Sequence, residues 1–301
     1  MSWESADALL ADASAQLAAA GVESPRREAK LLLRHATDVA REDIVVGQLP
    51  PLTPQMIARF KTAVRRRIAR EPFAYIVGSR EFWSLDLAVG PDVLIPRPES
   101  ETLIEEALQR FPERNAALRA ADLGTGSGCL LLAFLSERPN AQGVGVDVST
   151  DALALARCNA EALGLQARVQ FQWSDWTENL LGVFDVIFVN PPYISHHELE
   201  SLEPEILRYE PRAALDGGPD GLDAYRRISS RLAAHLSLQG LAFFELGKGQ
   251  RDSVEAILAQ EGFIAQGTVC DLAGIPRCLV AGLDAAKITP KKELALDTRS
   301  G

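Results

Sequence analysis

The chain is poor in metal-binding and cross-linking side chains. It has four cysteines and four histidines in 301 residues, no CxxC pair, and no histidine near any cysteine in sequence. That spacing argues against a zinc site or a disulfide framework; no metal is expected, and Cys129, Cys158, Cys270 and Cys278 are expected to be reduced and buried. Long apolar runs are also lacking, since none approaches the ~18 residues of a membrane span. The opening "MSWESADALLADAS" has acidic residues and no basic stretch ahead of an apolar one, so no secretory leader is expected and a cytoplasmic location is. Net positive charge is missing too. At −10 overall, the chain is ill suited to tight, sequence-independent binding of nucleic acid, which depends on many phosphate contacts.

The charge is unevenly spread. Residues 1–80 carry a net +3 and the remainder −13, and the local excess sits in "RFKTAVRRRIAR", Arg59 to Arg70. A solvated helix face is the ordinary use of such a run; docking to an acidic or RNA-bearing partner is the less favoured alternative.

Apolar spacing and caps predict helices over residues 1–74. "ADALLADASAQLAAAG" keeps helical period up to Gly21, Ser24-Pro25 opens a second helix, and Thr53-Pro54 opens a third. A linker or hairpin follows over 75–98, where "FWSLDLAV" alternates before Pro96 and Pro98 interrupt it. From Ser100 another helix begins, with Leu103, Ile104, Ala107 and Leu108 on one face. Residues 99–283 form the third segment, and within them strands alternate with helices. Strands are expected near Ala117–Leu123, Gly143–Val148, Val169–Trp173, Phe184–Val189, Leu241–Leu246 and Arg277–Gly282. This predicts an α/β fold, a parallel-type sheet with helices on both faces, joined to a small helical bundle, with ligands at the C-terminal strand ends. The tail 284–301 is polar and expected to be disordered.

Three strand ends carry candidate chemistry. In "DLGTGSG", Gly124, Gly126 and Gly128 lie between a strand and a helix, where glycine permits a sharp turn and close approach of a ligand. The spacing is not the GxGxxG of dinucleotide binders. Asp147 ends the next strand and can accept hydrogen bonds from ribose hydroxyls. Asp175 and Trp176 follow the third, a carboxylate for an exocyclic amine and an indole for a ring face. Together these make a nucleoside-shaped site. The fourth strand, "FDVIFV", runs into Asn190-Pro191-Pro192-Tyr193. Each proline holds the residue before it extended, so the Asn190 side-chain oxygen and the Pro191 carbonyl form a stiff pair of acceptors for the two hydrogens of a planar nitrogen. His196 and His197 follow closely and are read as surface loop residues, not as a general base.

The order of these motifs resembles the class I S-adenosylmethionine-dependent methyltransferases, with their Rossmann-like sheet. Asn-Pro-Pro-Tyr resembles the signature of enzymes that methylate adenine, cytosine, guanine or glutamine nitrogens, and does not choose among them. Four further segments do: "IPRPESETL", "YIVGSREFWSL", "EPRAALDGGPDGLDAYR" and "FFELGKGQ" resemble the HemK/PrmC family of protein-(glutamine-N5) methyltransferases, over about residues 5–283. That resemblance implies methyl transfer from S-adenosylmethionine, leaving S-adenosylhomocysteine, to the Gly-Gly-Gln glutamine of class 1 peptide release factors. It implies cofactor contacts from Gly124, Thr125, Gly126, Ser127, Gly128, Asp147 and Trp176, with Asp175 and Asn190 beside them. It assigns the substrate glutamine to Asn190, Pro191, Pro192 and Tyr193, with Asn190, Pro191 and Tyr193 as the catalytic set, and recognition of the factor to residues 1–74. A monomer without stable nucleic-acid or membrane partners is expected. The alternatives are a ribosomal-protein glutamine methyltransferase, an adenine-N6 DNA methyltransferase, and a cofactor-binding regulatory module without catalysis.

Overall fold

A computed structural model describes residues 6–37 and 51–287. The chain divides into two units, one of residues 1–79 with 202–210, the other of 80–201 with 211–301.

In the helical unit, helices Ala6–Ala19, Pro25–Thr37 and Pro54–Ile68 bury one face each around Leu17, Leu32, Leu33, Phe60 and Val64, joined by Ile76 of the short helix Phe73–Val77. The Thr53 hydroxyl caps the third helix by accepting the Met56 N–H at 3.2 Å, with Pro54 in the first turn, as the sequence predicts. The first helix stops at Gly21, whose φ is +72°. Helix Pro204–Tyr209, from far along the chain, completes this unit. The Tyr209 hydroxyl donates to the Ala69 carbonyl at 2.8 Å. Arg67, only 6% exposed, bonds Glu28 at 2.6 Å and Glu205 at 3.0 Å, and Arg70 bonds Glu205 at 2.6 Å. The basic run is therefore not uniformly a solvated face. Arg67 and Arg70 point inward because the guanidinium fork can join two elements through carboxylates.

In the second unit, β1 (Ser79–Phe82) and β2 (Leu85–Ala88) form the expected hairpin. A seven-stranded sheet follows, made of β3 (Arg119–Leu123), β4 (Gln142–Asp147), β5 (Val169–Trp173), β6 (Phe184–Val189), β7 (Leu236–Glu245), β8 (Phe263–Cys270) and β9 (Pro276–Leu283). Its order is β5-β4-β3-β6-β7-β9-β8. The first five strands are parallel, while β9 runs antiparallel to both β7 and β8. β8 is missing from the sequence reading. It is an edge strand with a mixed pattern, "FIAQGTVC", interrupted at Gly267, and such a strand carries little periodic signal.

Both faces of the sheet are covered. On β6, Val186 and Phe188 face helices Glu101–Arg110 and Cys129–Glu137, while Ile187 and Val189 face Asp223–Leu232 and Arg251–Gln260. Phe243 and Phe244 on β7 divide in the same way. A strand buried on both sides reads as a continuous apolar run, which is why β6 was legible to the residue.

Candidate active site

Strand register assembles the site. β3 pairs Leu123 with Val146 of β4 and with Val189 of β6, β4 pairs Asp147 with Trp173 of β5, and β6 pairs Val189 with Phe244 of β7. The residues one step beyond Val146, Leu123, Val189 and Phe244 are therefore neighbours in one row with Trp173: Trp173, Asp147, Gly124, Asn190 and Glu245. Sheet order reverses at β3, whose neighbours are β4 on one side and β6 on the other, and open α/β sheets place ligands at that point. A cavity lies there, walled by Gly124, Thr125, Gly126, Ser127, Asp147, Trp176, Asn190 and Pro192, and by Asp122 and Ser100. Pro96 and Arg97, from the "PRPESE" loop, also line it.

The glycine-loop wall is held by side-chain bonds. Asp147 accepts the Gly126 and Ser149 N–H groups, each at 2.9 Å. Asn159, 3% exposed, donates to the Ser127 carbonyl at 2.9 Å and bonds both backbone groups of Ala88 on β2. Gly124 has φ +75°, and a Cβ there would stand 3.0 Å from the Trp176 ring. Trp176 itself takes φ +54°, in a turn where the Ser174 hydroxyl donates to its carbonyl at 2.8 Å and accepts the Asn179 N–H. Asp122 lies beneath the loop, 1% exposed, with the Thr125 hydroxyl donating to it at 2.7 Å. Burial pushes its carboxyl up to about 7, against the pull of the Thr125 bond, and the nearby Asp147 charge adds to the rise. The Ser127 hydroxyl is buried on the wall with no hydrogen-bond partner among the described residues.

The opposite wall is built on a buried carboxylate. Glu245, 1% exposed, accepts the Ser100 hydroxyl at 2.5 Å and the Tyr193 hydroxyl at 3.1 Å. Ser100 in turn accepts the Asn190 side-chain N–H at 3.3 Å. Burial raises the Glu245 pKa, while the bonds from Ser100 and Tyr193 oppose the rise. The Tyr225 hydroxyl donates to the Glu245 carbonyl at 2.7 Å, and Gln250 donates to the Tyr193 carbonyl at 2.8 Å. Behind the motif, Ile194 exchanges backbone bonds with Leu215 and Gly217. Any Cβ on Gly217 would meet the Pro192 carbonyl at 2.8 Å.

Most of the residues singled out from sequence thus meet at one cavity. Gly128, Pro191, Tyr193 and Asp175 stand off its wall. Gly128 caps helix Cys129–Glu137 at φ +82°, and Tyr193 faces Glu245. Asp175 is engaged by Arg227 at 2.6 Å. His196 bonds Asp216 at 3.0 Å and is half exposed, a surface residue as expected, but it and His197 open the short helix His196–Leu199, capped by Ser195, and do not lie in a loop. Of the cysteines, only Cys278 is fully buried, Cys129 is half-buried, and Cys158 and Cys270 are exposed. The expectation of burial fails for the last two because they lie on the outer side of a helix and on the edge strand. No helix among the described residues is long and apolar enough to cross a membrane.

Family models match the chain twice: the PrmC N-terminal domain over residues 8–78 and the methyltransferase small domain over 100–218. A release factor glutamine methyltransferase of Rhodospirillum rubrum is 42% identical over 91% of this chain and 84% of its own. That of Geobacter sulfurreducens is 45% identical over 87% and 90%. The chain belongs to the release factor glutamine methyltransferase family. Its fold also occurs in the hMettl16 catalytic domain solved with the MAT2A 3'UTR hairpin 6, with a TM-score of 0.53 at 18% identity over 78% of this chain and 83% of that one.

Within this family member, sequence reasoning passed over Asp122, Asn159 and Glu245. Glu245 had left a trace, a lone carboxylate inside the apolar run "LAFFELG". Asp122 stood in the quoted "DLGTGSG". Asn159 left none, since a helix carrying one asparagine reads like any other.

Proposed function

We propose that this methyltransferase transfers the methyl group of S-adenosylmethionine to the side-chain nitrogen of the Gly-Gly-Gln glutamine in class 1 release factors. The observation that carries this reading is the register that sets Asn190 beside Gly124, on the wall of a cavity shared by the glycine loop and the Asn-Pro-Pro-Tyr corner.

The residues present fit the cofactor. A buried carboxyl at Asp122 suits an ammonium group, and the free Ser127 hydroxyl has capacity left to donate. Asp147 keeps lone pairs for ribose hydroxyls beyond its two backbone bonds, and the Trp176 indole suits an adenine face. When bound, the sulfonium supplies an electrophilic methyl group, so the protein's task is to aim the nitrogen.

An amide nitrogen is a poor nucleophile because its lone pair is delocalised into the carbonyl. The Asn190 Oδ1 and the Pro191 carbonyl are the two acceptors for the glutamine N–H hydrogens. Accepting both orients the nitrogen and favours positive charge building up on it, which are orientation and electrostatic terms. Tyr193 supports the corner from behind through its bond to Glu245. We assign recognition of the factor's body to the helical unit. We read the chain as working as a monomer on protein, a reading supported against nucleic acid by its net charge of −10.

Labelled S-adenosylmethionine decides the matter. Offered separately, intact release factor takes up label, while the same factor with its motif glutamine replaced, ribosomal protein and DNA do not. A Gly-Gly-Gln peptide is methylated with a much higher KM than the intact factor. Label entering DNA or ribosomal protein, or label indifferent to the glutamine, overturns the reading.

A further inference from the structure

We propose that Glu245, acting through Ser100, is a positioning residue that fixes which way the Asn190 amide faces. The inference rests on the reading of Asn190 as the acceptor for the substrate nitrogen.

An asparagine side chain has an acceptor on one side and a donor on the other, and the two are nearly the same size. Turned by half a rotation about its last bond, Asn190 presents an NH2 group to the substrate amide, donor facing donor, and the clamp is lost. The proline after it holds the backbone extended but leaves that rotation free. Something else has to set it.

The bonds behind Asn190 supply a direction. A carboxylate that accepts at both oxygens has nothing to donate, and Glu245 is placed so. It takes the Ser100 hydroxyl at one oxygen and the Tyr193 hydroxyl at the other. Having given its single proton to Glu245, Ser100 has only lone pairs left for Asn190, so the group it faces is the Nδ2 donor, as observed at 3.3 Å. Oδ1 is then turned away from Ser100. Ser100 and Glu245 are buried, at 2% and 1% exposure, so the bond that orients the serine proton is kept from water, while Asn190 is half-buried on the cavity wall. Register supports the arrangement independently, because Val189 pairs with Phe244 and sets Glu245 beside Asn190. Tyr225 holds the Glu245 backbone carbonyl at 2.7 Å. The nearby Arg277 guanidinium is taken by Asp271 at 2.9 Å and does not compete for the carboxylate.

A neutral glutamine at 245 breaks the logic, because its NH2 can donate to Ser100 and free the serine proton for Asn190 Oδ1. Three variants test this: Glu245→Gln, Ser100→Ala and Ser100→Thr. The first two lower kcat on release factor by at least about tenfold, the size expected for one misdirected buried hydrogen bond. Their cofactor dissociation constants, measured by calorimetry, stay within about twofold. Ser100→Thr keeps the hydroxyl and recovers most of the turnover that Ser100→Ala loses. The Asn190 side-chain NH2 resonance, assigned by its loss in Asn190→Ala, gives a readout that needs no substrate. One of its protons exchanges slowly with solvent in the wild type and in Ser100→Thr, and at least about tenfold faster in Ser100→Ala and Glu245→Gln.

Wild-type turnover in Ser100→Ala overturns the proposal, as does a slowly exchanging Asn190 proton that survives both substitutions. If Glu245→Gln does not fold, the serine pair decides alone. If the wild type labels no glutamine, the functional reading falls, and the exchange experiment still judges the positioning role.

Discussion

Two buried polar sets, one in each unit, are handled differently. In the helical unit, Arg67 is enclosed but fully answered. Burial disfavours its charge, and the hydrogen bonds it donates to Glu28 and Glu205, with their negative charges, more than offset that, leaving its pKa raised. Around the cavity, Asp122 and Glu245 are buried with hydroxyl partners and, among the described residues, no ion pair, and the Ser127 hydroxyl has no hydrogen-bond partner among them. Closed polar sets hold structure together. Open ones keep bonding capacity for a ligand, and strongly perturbed titratable groups in clefts mark functional sites for this reason.

The largest effect tests the closed set. Arg67→Met leaves two carboxylates in a low-dielectric setting without their cation and destabilises the protein by about 3–5 kcal/mol, the cost typical of breaking a buried ion pair. Urea unfolding measures the loss. Cofactor affinity of the folded fraction is unchanged, and a drop in affinity instead breaks the distinction between the units.

Next is the open set at its reacting end. Asn190→Ala lowers kcat roughly 10²–10³-fold, as removing one group that stabilises developing charge does elsewhere. Cofactor binding by calorimetry is largely spared. Retained turnover removes Asn190 from the clamp.

Smaller, and of opposite sign for stability, is Asp122→Asn. The folded carboxyl is raised from 3.8 to about 7 by burial, so its contribution to the ligand-free fold is fully present below the unfolded value and lost as pH rises through 7. The wild type therefore melts at lower temperature at pH 8 than at pH 5 by this group's share, and Asp122→Asn removes that difference. The same substitution weakens cofactor binding at pH 8, where an ionised partner for the ammonium is missing. Stability gained at pH 8 with unchanged affinity makes Asp122 merely a strained core residue.

The smallest effect belongs to Asp175→Asn. Its exposed pair with Arg227 is of the kind worth no more than about 1 kcal/mol, and its carboxylate is off the cavity wall. Cofactor affinity changes by less than about threefold; a larger loss returns Asp175 to the cofactor set.

Legibility in the sequence followed burial and period. β6 is legible to the residue because its run is apolar and bounded by turns, β5 because "VQFQW" alternates between turns, and the start of β7 is obscured because "LSLQG" interrupts its pattern. β8, half exposed at the edge, left no usable alternation. The cavity wall was readable where backbone chemistry demands a residue type, as at Gly124 and at the two prolines. It was unreadable where a residue acts through a distant partner. Asn159 binds Ala88, 71 positions away, and Glu245 binds Ser100, 145 positions away.

By itself the sequence determined the elements, the glycine turn and the extended acceptor corner, because φ restrictions and apolar period act over a few neighbours. Only the tertiary structure decided that Trp173, Asp147, Gly124, Asn190 and Glu245 share one row. Strand register is set between chains of side chains far apart in sequence, and local preference carries no record of it.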